Sequence, residues 1–207
     1  SYYGQIVVNT TAHIGNYGAL NAEQESDKPK IKGLVVNEFS EMHSRFNADE
    51  SLNEYLQRTN TVGISDLDSR KLVRYIRSKG AMNAIISSEI LDESELMGKM
   101  KDVPSMANLE LSSKVTIDKP YILGEENDGF KIAVLDLGVK KSILTNFTDR
   151  GLVCKVFPAN TKFEELQAWN PDGYFISNGP GDPSAMSYAV DTVKKILEID
   201  YPLFGIC

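Results

Sequence analysis

The strongest constraint on the fold is a regular alternation of strand and helix patterns between residues 130 and 207. Four apolar runs of strand length are separated by segments whose apolar residues recur at helical spacing. Strands that alternate with helices pair in parallel and carry helices on both faces of the sheet. The second half of the chain is therefore predicted to be an α/β domain with four buried parallel strands. The four runs are KIAVLDL, LVCKVF, GYFISN and PLFGIC.

The first half of the chain mixes shorter strand and helix patterns, which predicts a compact α+β unit. Asp68 is placed to cap the start of one helix and Gly80 to end it, and Asp92 with Glu95 resembles a capping box at the start of another. In the second half, Thr161 and Glu164 predict a capping box. Strands of the first half are predicted at 6–8, 34–36 and 81–89, and helices at 48–60, 68–80 and from residue 92.

A polar segment that contains a proline lies between the two halves, and its glycine-bounded acidic part, 124–129, is typical of a linker. The sequence therefore predicts an N-terminal domain at 1–111, a linker at 112–129 and a second domain at 130–207.

Composition excludes several classes of protein. The 207 residues are 42% apolar and 25% charged, as in ordinary folded proteins, and the net charge is -7. The basic residues are scattered, so neither nucleic acid nor an anionic membrane is an expected partner. No apolar run reaches the roughly 20 residues that span a bilayer, and the start of the chain has no signal-peptide pattern. The sequence therefore predicts a cytoplasmic protein.

The stretch SNGPGDP, residues 177–183, follows the third strand of the second half. Gly179 and Gly181 permit positive φ and close backbone approach, while Pro180 and Pro183 fix neighbouring dihedrals. One interpretation is a rigid turn between strand and helix. The other is a loop that presents N–H groups to a developing negative charge, as an oxyanion hole does. Residue chemistry alone favours the turn.

Two cysteines and two histidines are the other candidates for chemistry. Cys207 ends an apolar strand, with a glycine two residues before it, which resembles half of a nucleophile elbow. The alternative is an inert buried thiol, and Cys154, inside LVCKVF, is given that interpretation. His13 and His43 both lie in the first half and are interpreted as loop or surface residues, so Cys207 has no obvious base.

Three aspartates are candidates for a catalytic acid or a metal ligand. Asp182 is more typical of a turn residue that binds its own backbone, and Asp191 falls on the polar side of a helix. Asp136 ends a strand. No spacing of metal ligands is present, and neither a P-loop nor a GxGxxG pattern supports a nucleotide site.

The same residues carry a family resemblance. SNGPGDP together with FGIC resembles the class I, triad-type glutamine amidotransferases. The stretches SYYGQIVVNTTAHIGNYG, KGLVVNEFSEMHSRF and VLDLGVKKSILTNFTDRG resemble the small, glutamine-hydrolysing subunits of carbamoyl phosphate synthetases. The resemblance covers nearly the whole chain. It implies a first domain of the swivelling β/β/α type, followed by the first part of an amidotransferase domain.

The resemblance also implies an activity. Members of the family hydrolyse glutamine and pass the ammonia to a large synthetase subunit, with which they form a heterodimer. Carbamoyl phosphate made there feeds pyrimidine and arginine biosynthesis. No cofactor or metal is expected in this subunit, and ATP and metal ions are expected on the large one.

Individual roles follow from the resemblance. Cys207 matches the nucleophile that forms a glutamyl thioester, and Gly179 matches an oxyanion-hole donor. Gly181, Gly179 and Ser1 match glutamine contacts, which implies a site between the two domains. The family pattern continues beyond both ends of the chain and includes a second oxyanion donor and the His and Glu of the triad. A polypeptide that ended at Cys207 is therefore expected to be inactive.

Two alternatives remain open at this point. One is the glutaminase component of another enzyme of this class, such as those for anthranilate, GMP or CTP synthesis. The other is a non-catalytic scaffold that keeps the fold without the chemistry.

Overall fold

The structure, a computed structural model, describes residues 2–26, 28–125 and 129–207. These residues form two compact units, Tyr2–Ser105 and Met106–Cys207. Across the described part of the chain, no helix has the length and apolar character needed to cross a bilayer.

The first unit contains a three-stranded parallel sheet of order β1-β3-β5 and a two-stranded parallel sheet of β2 and β4. The strands predicted at 6–8 and 34–36 are confirmed as β1 and β3, the second shifted by one residue. In chain order the elements are β1 (Ile6–Val8), β2 (His13–Ile14), β3 (Gly33–Val35), β4 (Glu38–Phe39), α1 (Leu52–Arg58), β5 (Val62–Ile64), α2 (Ser69–Lys79) and α3 (Glu93–Met100).

Side chains cap the starts of α1, α2 and α3. The Asp68 carboxylate accepts from Lys71 N at 2.9 Å, so the predicted cap of α2 is confirmed. Asp92 accepts from Glu95 N at 2.9 Å and caps α3, but no bond from the Glu95 side chain completes the predicted capping box among the described residues. Gly80 ends α2 with φ of 89°, as predicted. Ser51 forms a full capping box at α1 that the sequence interpretation missed.

The predicted strand at 81–89 is wrong, because these residues form no strand. Ile86 lies close to Gly33 of β3. Met82 and Ile85 are exposed, and the backbone of this segment has no ladder partner among the described residues.

The second unit is built on one five-stranded sheet of order β10-β9-β7-β8-β6. The four strands predicted from the alternation are all parallel, and β6 is antiparallel to β8. In chain order the elements are β6 (Tyr121–Leu123), β7 (Lys131–Asp136), α4 (Lys141–Thr148), β8 (Val153–Pro158), α5 (Phe163–Ala168), β9 (Gly173–Ile176), α6 (Ser187–Glu198) and β10 (Leu203–Gly205).

Helices cover both faces of this sheet, as predicted. Leu166 of α5 and Ile196 of α6 are fully buried on one face, against Ala133 and Tyr174. Leu144 of α4 is buried on the other face, in the cluster that contains Phe175. Successive residues of β7 and β9 point to opposite faces, which explains why nearly every residue of these strands is apolar.

Two local predictions in this unit are wrong. Within the sheet that the described residues form, β10 pairs only with β9 and Phe204 is 63% exposed, so the strand is not buried there. Thr161 and Glu164 form no capping box, because α5 begins at Phe163 after Lys162, which makes no side-chain cap bond.

Residues 112–125, which the sequence predicts as part of a linker, belong to the second unit. They include a 3-10 helix at Ser112–Lys114 and the strand β6, whose Ile122 is opposite Lys155 of β8. Thr116 of this segment bonds through its hydroxyl to the Asp136 carbonyl at the end of β7.

Candidate functional site

Cys207 and the SNGPGDP stretch leave the sheet at the same edge. In the pairing of β9 with β10, Gly205 lies opposite Ile176, and Ile206 N donates to the Ile176 carbonyl at 3.1 Å. Residues 177–183, here called the glycine loop, begin directly after β9. The strand register therefore brings the start of the glycine loop and Cys207 to the same level, at the carboxyl edge where α/β sheets bind ligands.

The start of the glycine loop is locked onto the end of β7. The buried Ser177 hydroxyl accepts from Leu137 N at 2.9 Å and donates to the Asn178 carbonyl at 2.9 Å. The Asn178 side chain donates to the Gly138 carbonyl at 3.3 Å. These bonds fix the direction in which the chain leaves the sheet.

The two glycines of the loop are required for different reasons. Gly181 has φ of 90°, in the region that favours glycine. Gly179 is not in that region, but a methyl group added there would collide with the Leu137 carbonyl oxygen and lie 2.8 Å from Ser112 Oγ. The close backbone approach at both glycines is packing within the protein, and approach to a ligand stays a prediction.

The Gly179 N–H makes no hydrogen bond to any group in residues 2–26, 28–125 or 129–207. Gly179 is half-buried, and the following Pro180 is fully buried and has no N–H of its own. A backbone donor that is held in place and free of an internal acceptor is what an oxyanion site requires.

Asp182 closes the loop as a turn residue. Its carboxylate accepts from Ser184 N at 2.9 Å and from Asn108 N at 2.8 Å. The backbone bond from Asn108, together with the bonds from Ser184, lowers the pKa of Asp182. The predicted turn role of Asp182 is therefore confirmed.

The other two aspartates are also structural or exposed. Asp136 is buried at the end of β7, where its carboxylate accepts from Ile117, Gly138 and Val139 N–H groups at 2.8 to 2.9 Å. Asp191 is exposed on α6, as predicted. No cluster of potential metal ligands occurs among the residues that the structure describes.

Sequence reasoning missed a segment that holds the glycine loop from outside. Residues 108–117, here called the strap, run past the carboxyl ends of β7 and β8. Asp182 N donates to the Leu109 carbonyl at 2.9 Å, and Glu110 pairs with Gly181 in an antiparallel bridge. Thr116 Oγ1 donates to the Asp136 carbonyl at 2.7 Å and accepts from Ala159 N at 2.9 Å.

Glu110 is the most highly bonded side chain of the strap. Its carboxylate accepts from Ser113 N at 2.9 Å, from the Ser113 hydroxyl, and from the Tyr188 hydroxyl at 2.7 Å. Partial burial acts to raise the pKa of Glu110, but the bonds from Ser113 and Tyr188 outweigh it and the pKa is lowered. Burial and the bond to Glu110 raise the pKa of Tyr188.

The two thiols have opposite environments. Cys154 is fully buried in β8, and burial raises its pKa to about 11, in agreement with the inert interpretation. Cys207 is exposed. Burial makes the Cys154 thiol inaccessible to a reagent or a substrate.

The remaining candidates lie elsewhere. His13 and His43 are both exposed residues of the first unit, and His13 Nδ1 lies 3.4 Å from a Glu38 carboxylate oxygen. Ser1, predicted to contact glutamine, lies outside the described residues. The roles predicted for Ser1, Gly179, Gly181 and Cys207 remain predictions.

Comparison with known families places this site in a class. Residues 133–207 match the family model for class-I glutamine amidotransferases. This match spans β7 to β10, the glycine loop and Cys207. The second unit is therefore the sheet and carboxyl edge of a class-I glutamine amidotransferase.

The first unit makes the assignment more particular. Residues 1–86 match the CPSase domain of the carbamoyl-phosphate synthase small chain. The whole chain is 41% identical to the carbamoyl phosphate synthase small chain of a Synechococcus strain, and 39% and 40% identical to those of Vibrio vulnificus and Salmonella typhimurium. The chain belongs to the family of carbamoyl phosphate synthase small chains. It spans 56%, 59% and 58% of the lengths of these three relatives.

Proposed function

We propose that this chain is part of a glutaminase subunit that releases ammonia from glutamine for carbamoyl phosphate synthesis. One observation supports this most strongly: the strand register brings Cys207 to the level of the start of the glycine loop, which carries a Gly179 N–H without a partner among the described residues. The family match at the first unit favours this function over other glutaminases of the same class.

The proposed reaction begins with attack by the Cys207 thiolate on the side-chain amide carbon of glutamine. A sulfur–carbon bond forms, and negative charge develops on the amide oxygen, where the Gly179 N–H would stabilise it. The carbon–nitrogen bond then breaks, the nitrogen takes a proton and leaves as ammonia, and a glutamyl thioester remains. Water hydrolyses the thioester to glutamate and restores the thiol.

The first proton has to pass from the thiol through a base to the leaving nitrogen. The family resemblance assigns this task to a histidine held by a glutamate, both after Cys207 in the family pattern. It also assigns Ser1 and Gly181 to contacts with the glutamine. These assignments belong to the proposal.

The partner that we propose is a large synthetase subunit that receives the ammonia. The formation of carbamoyl phosphate there consumes ATP and bicarbonate, so ATP and metal ions are placed on that subunit. The ammonia has to remain unprotonated to react, which an enclosed path between subunits favours over release into bulk water.

The test is glutamine-dependent ammonia release by the full-length protein assembled with its synthetase partner. Substitution Cys207→Ser should abolish glutamine-dependent carbamoyl phosphate formation and leave formation from added ammonia intact. The matched control is Cys154→Ala, which removes the buried thiol and should keep the glutamine-dependent rate. Glutamine-dependent synthesis that survives Cys207→Ser would reject the proposed role.

A further inference from the structure

The strap and the glycine loop form one bonded assembly, although they are far apart in the sequence. Asn108 and Asp182, 74 residues apart, are joined by a bond of 2.8 Å from backbone N–H to carboxylate, and Asp182 N returns a bond to the strap at Leu109. The backbone of Glu110 pairs with Gly181. The loop is therefore held along one side by a short antiparallel pairing.

The side chain of Glu110 extends this attachment beyond the loop. Its carboxylate accepts from the hydroxyl of Tyr188, which lies in the first turn of α6, just after the glycine loop. The same carboxylate accepts from the Ser113 N–H and hydroxyl, which closes a turn within the strap. Glu110 thus contacts the loop through its backbone and the following helix through its side chain.

Close packing makes the position of the loop depend on the strap. At Gly181 a methyl group would collide with the Leu109 carbonyl oxygen and come within 3.0 Å of Leu111 N. The fully buried Ser112 directs its hydroxyl toward the Pro180 carbonyl at 3.5 Å. Movement of the strap would therefore shift Pro180 and Gly181, which follow the Gly179 donor directly.

We propose that Glu110 is a positioning residue for the reaction at Cys207, fixing the Gly179 N–H through Gly181 and the Tyr188 hydroxyl. This inference rests on the proposed function, because the positioned group is the proposed oxyanion donor. Glu110 itself touches no reacting atom in this account and acts through the loop.

The direct test measures glutamine hydrolysis by Glu110→Ala and Tyr188→Phe in the full-length protein assembled with its partner. A donor held only for the transition state lowers kcat and leaves KM nearly unchanged when it is displaced. Loss of one oxyanion donor costs about 100- to 1,000-fold, so partial displacement should lower kcat by about 10- to 100-fold for Glu110→Ala. Tyr188→Phe should give a smaller loss in the same direction.

Two further variants separate positioning from general destabilisation. Glu110→Gln keeps an acceptor for Tyr188 and should recover most of the kcat that Glu110→Ala loses. Glu164→Ala removes the exposed ion pair between Glu164 and Lys195 of α6, away from the strap, and should leave kcat unchanged. Combining Glu110→Ala with Tyr188→Phe should cost less than the product of the two single effects, because both break one attachment.

Amide hydrogen exchange gives a readout that does not depend on activity. Glu110→Ala should increase exchange at residues 179–185 and leave β7 and β8 as protected as before. Unchanged kcat in Glu110→Ala, or a lower kcat that Glu110→Gln fails to recover, would overturn the positioning role. If the wild-type protein released no ammonia, the proposed function and the catalytic part of this inference would both be overturned. The exchange measurement would still report whether Glu110 holds the loop.

Discussion

Gly179 and Gly181 are separated by one residue and are glycine for different physical reasons. Gly181 has a positive φ and packs too closely against the strap to leave room for a side chain. Gly179 has no positive φ, but it packs too closely against Leu137 and Ser112. Glycine in this motif is thus accounted for by internal packing, even before any ligand is considered. The packing and the proposed function are compatible, because a closely packed loop holds its N–H donors in place.

Comparing Gly181→Ala with a matched control should separate the free-energy cost of positive φ from the cost of the collision with the strap. Positive φ costs a non-glycine residue about 1–2 kcal/mol, and the collision with Leu109 should add roughly 1–3 kcal/mol, as other overpacked sites do. The matched control is Gly151→Ala, since Gly151 has φ of 77° with no atom within 4 Å of the added carbon. Urea unfolding should therefore show a larger loss for Gly181→Ala, and equal losses would contradict the packing described for the strap.

The strap, like residues 81–89, is a segment that sequence patterns misassign. Its polar residues and the nearby proline are typical of a linker, yet Thr116 joins the ends of β7 and β8 through one hydroxyl. Its partners, Asp136 and Ala159, are 20 and 43 residues away. Bonds of this range depend on the completed sheet, so local composition carries no sign of them.

Thr116→Val tests this junction with almost no change in side-chain shape. The substitution leaves the Ala159 N–H without its acceptor, and a buried donor without a partner costs about 1–3 kcal/mol. The control is Thr145→Val on the exposed face of α4, where the hydroxyl bonds only to the Lys141 carbonyl, and it should change stability by less than about 0.5 kcal/mol. Similar unfolding free energies for both variants would show that the strap is not anchored there.

Acid should loosen the strap before it unfolds the sheet. The pKa values of Glu110 and Asp182 are lowered in the folded protein from ordinary values of 4.5 and 3.8. Each carboxylate therefore stabilises the fold fully above its ordinary pKa, and this contribution is lost as the pH falls through the lowered value. Exchange protection of residues 106–117, corrected for the intrinsic rate, should fall as the pH drops below about 4.5 and through the lowered pKa values, while that of β7 persists.

The double variant Glu110→Gln, Asp182→Asn provides the comparison for this acid effect. It should show weaker protection of the strap at neutral pH and almost no further loss in acid. A wild-type strap whose protection is independent of pH would contradict the role given to the two carboxylates.

Sequence patterns predicted the second unit well because the relevant information is local. Apolar runs between helical segments fix parallel strands, and their register then places Cys207 beside the glycine loop. The failures lie where structure depends on distant partners. Residues 81–89 have a strand pattern but no ladder partner among the described residues, and Phe204 is exposed because β10 ends the sheet that those residues form.

At the scale of the whole molecule, chemistry requires more than the nucleophile and the loop. Both histidines are exposed residues of the first unit, and the family resemblance places the base after Cys207. A polypeptide restricted to these 207 residues is therefore expected to release no ammonia from glutamine, although its second unit should be folded. A sensitive ammonia assay checks this, and release that Cys207→Ser abolishes would contradict it.

The most direct test of the central claim is the reaction of the full-length protein with a chloroketone analogue of glutamine, followed by intact mass and peptide mapping. We expect a single adduct on Cys207, protection by added glutamine and no labelling of the buried Cys154. An adduct on another residue, or labelling of Cys207 that glutamine does not slow, would contradict the assignment of Cys207 as the nucleophile of a glutamine site.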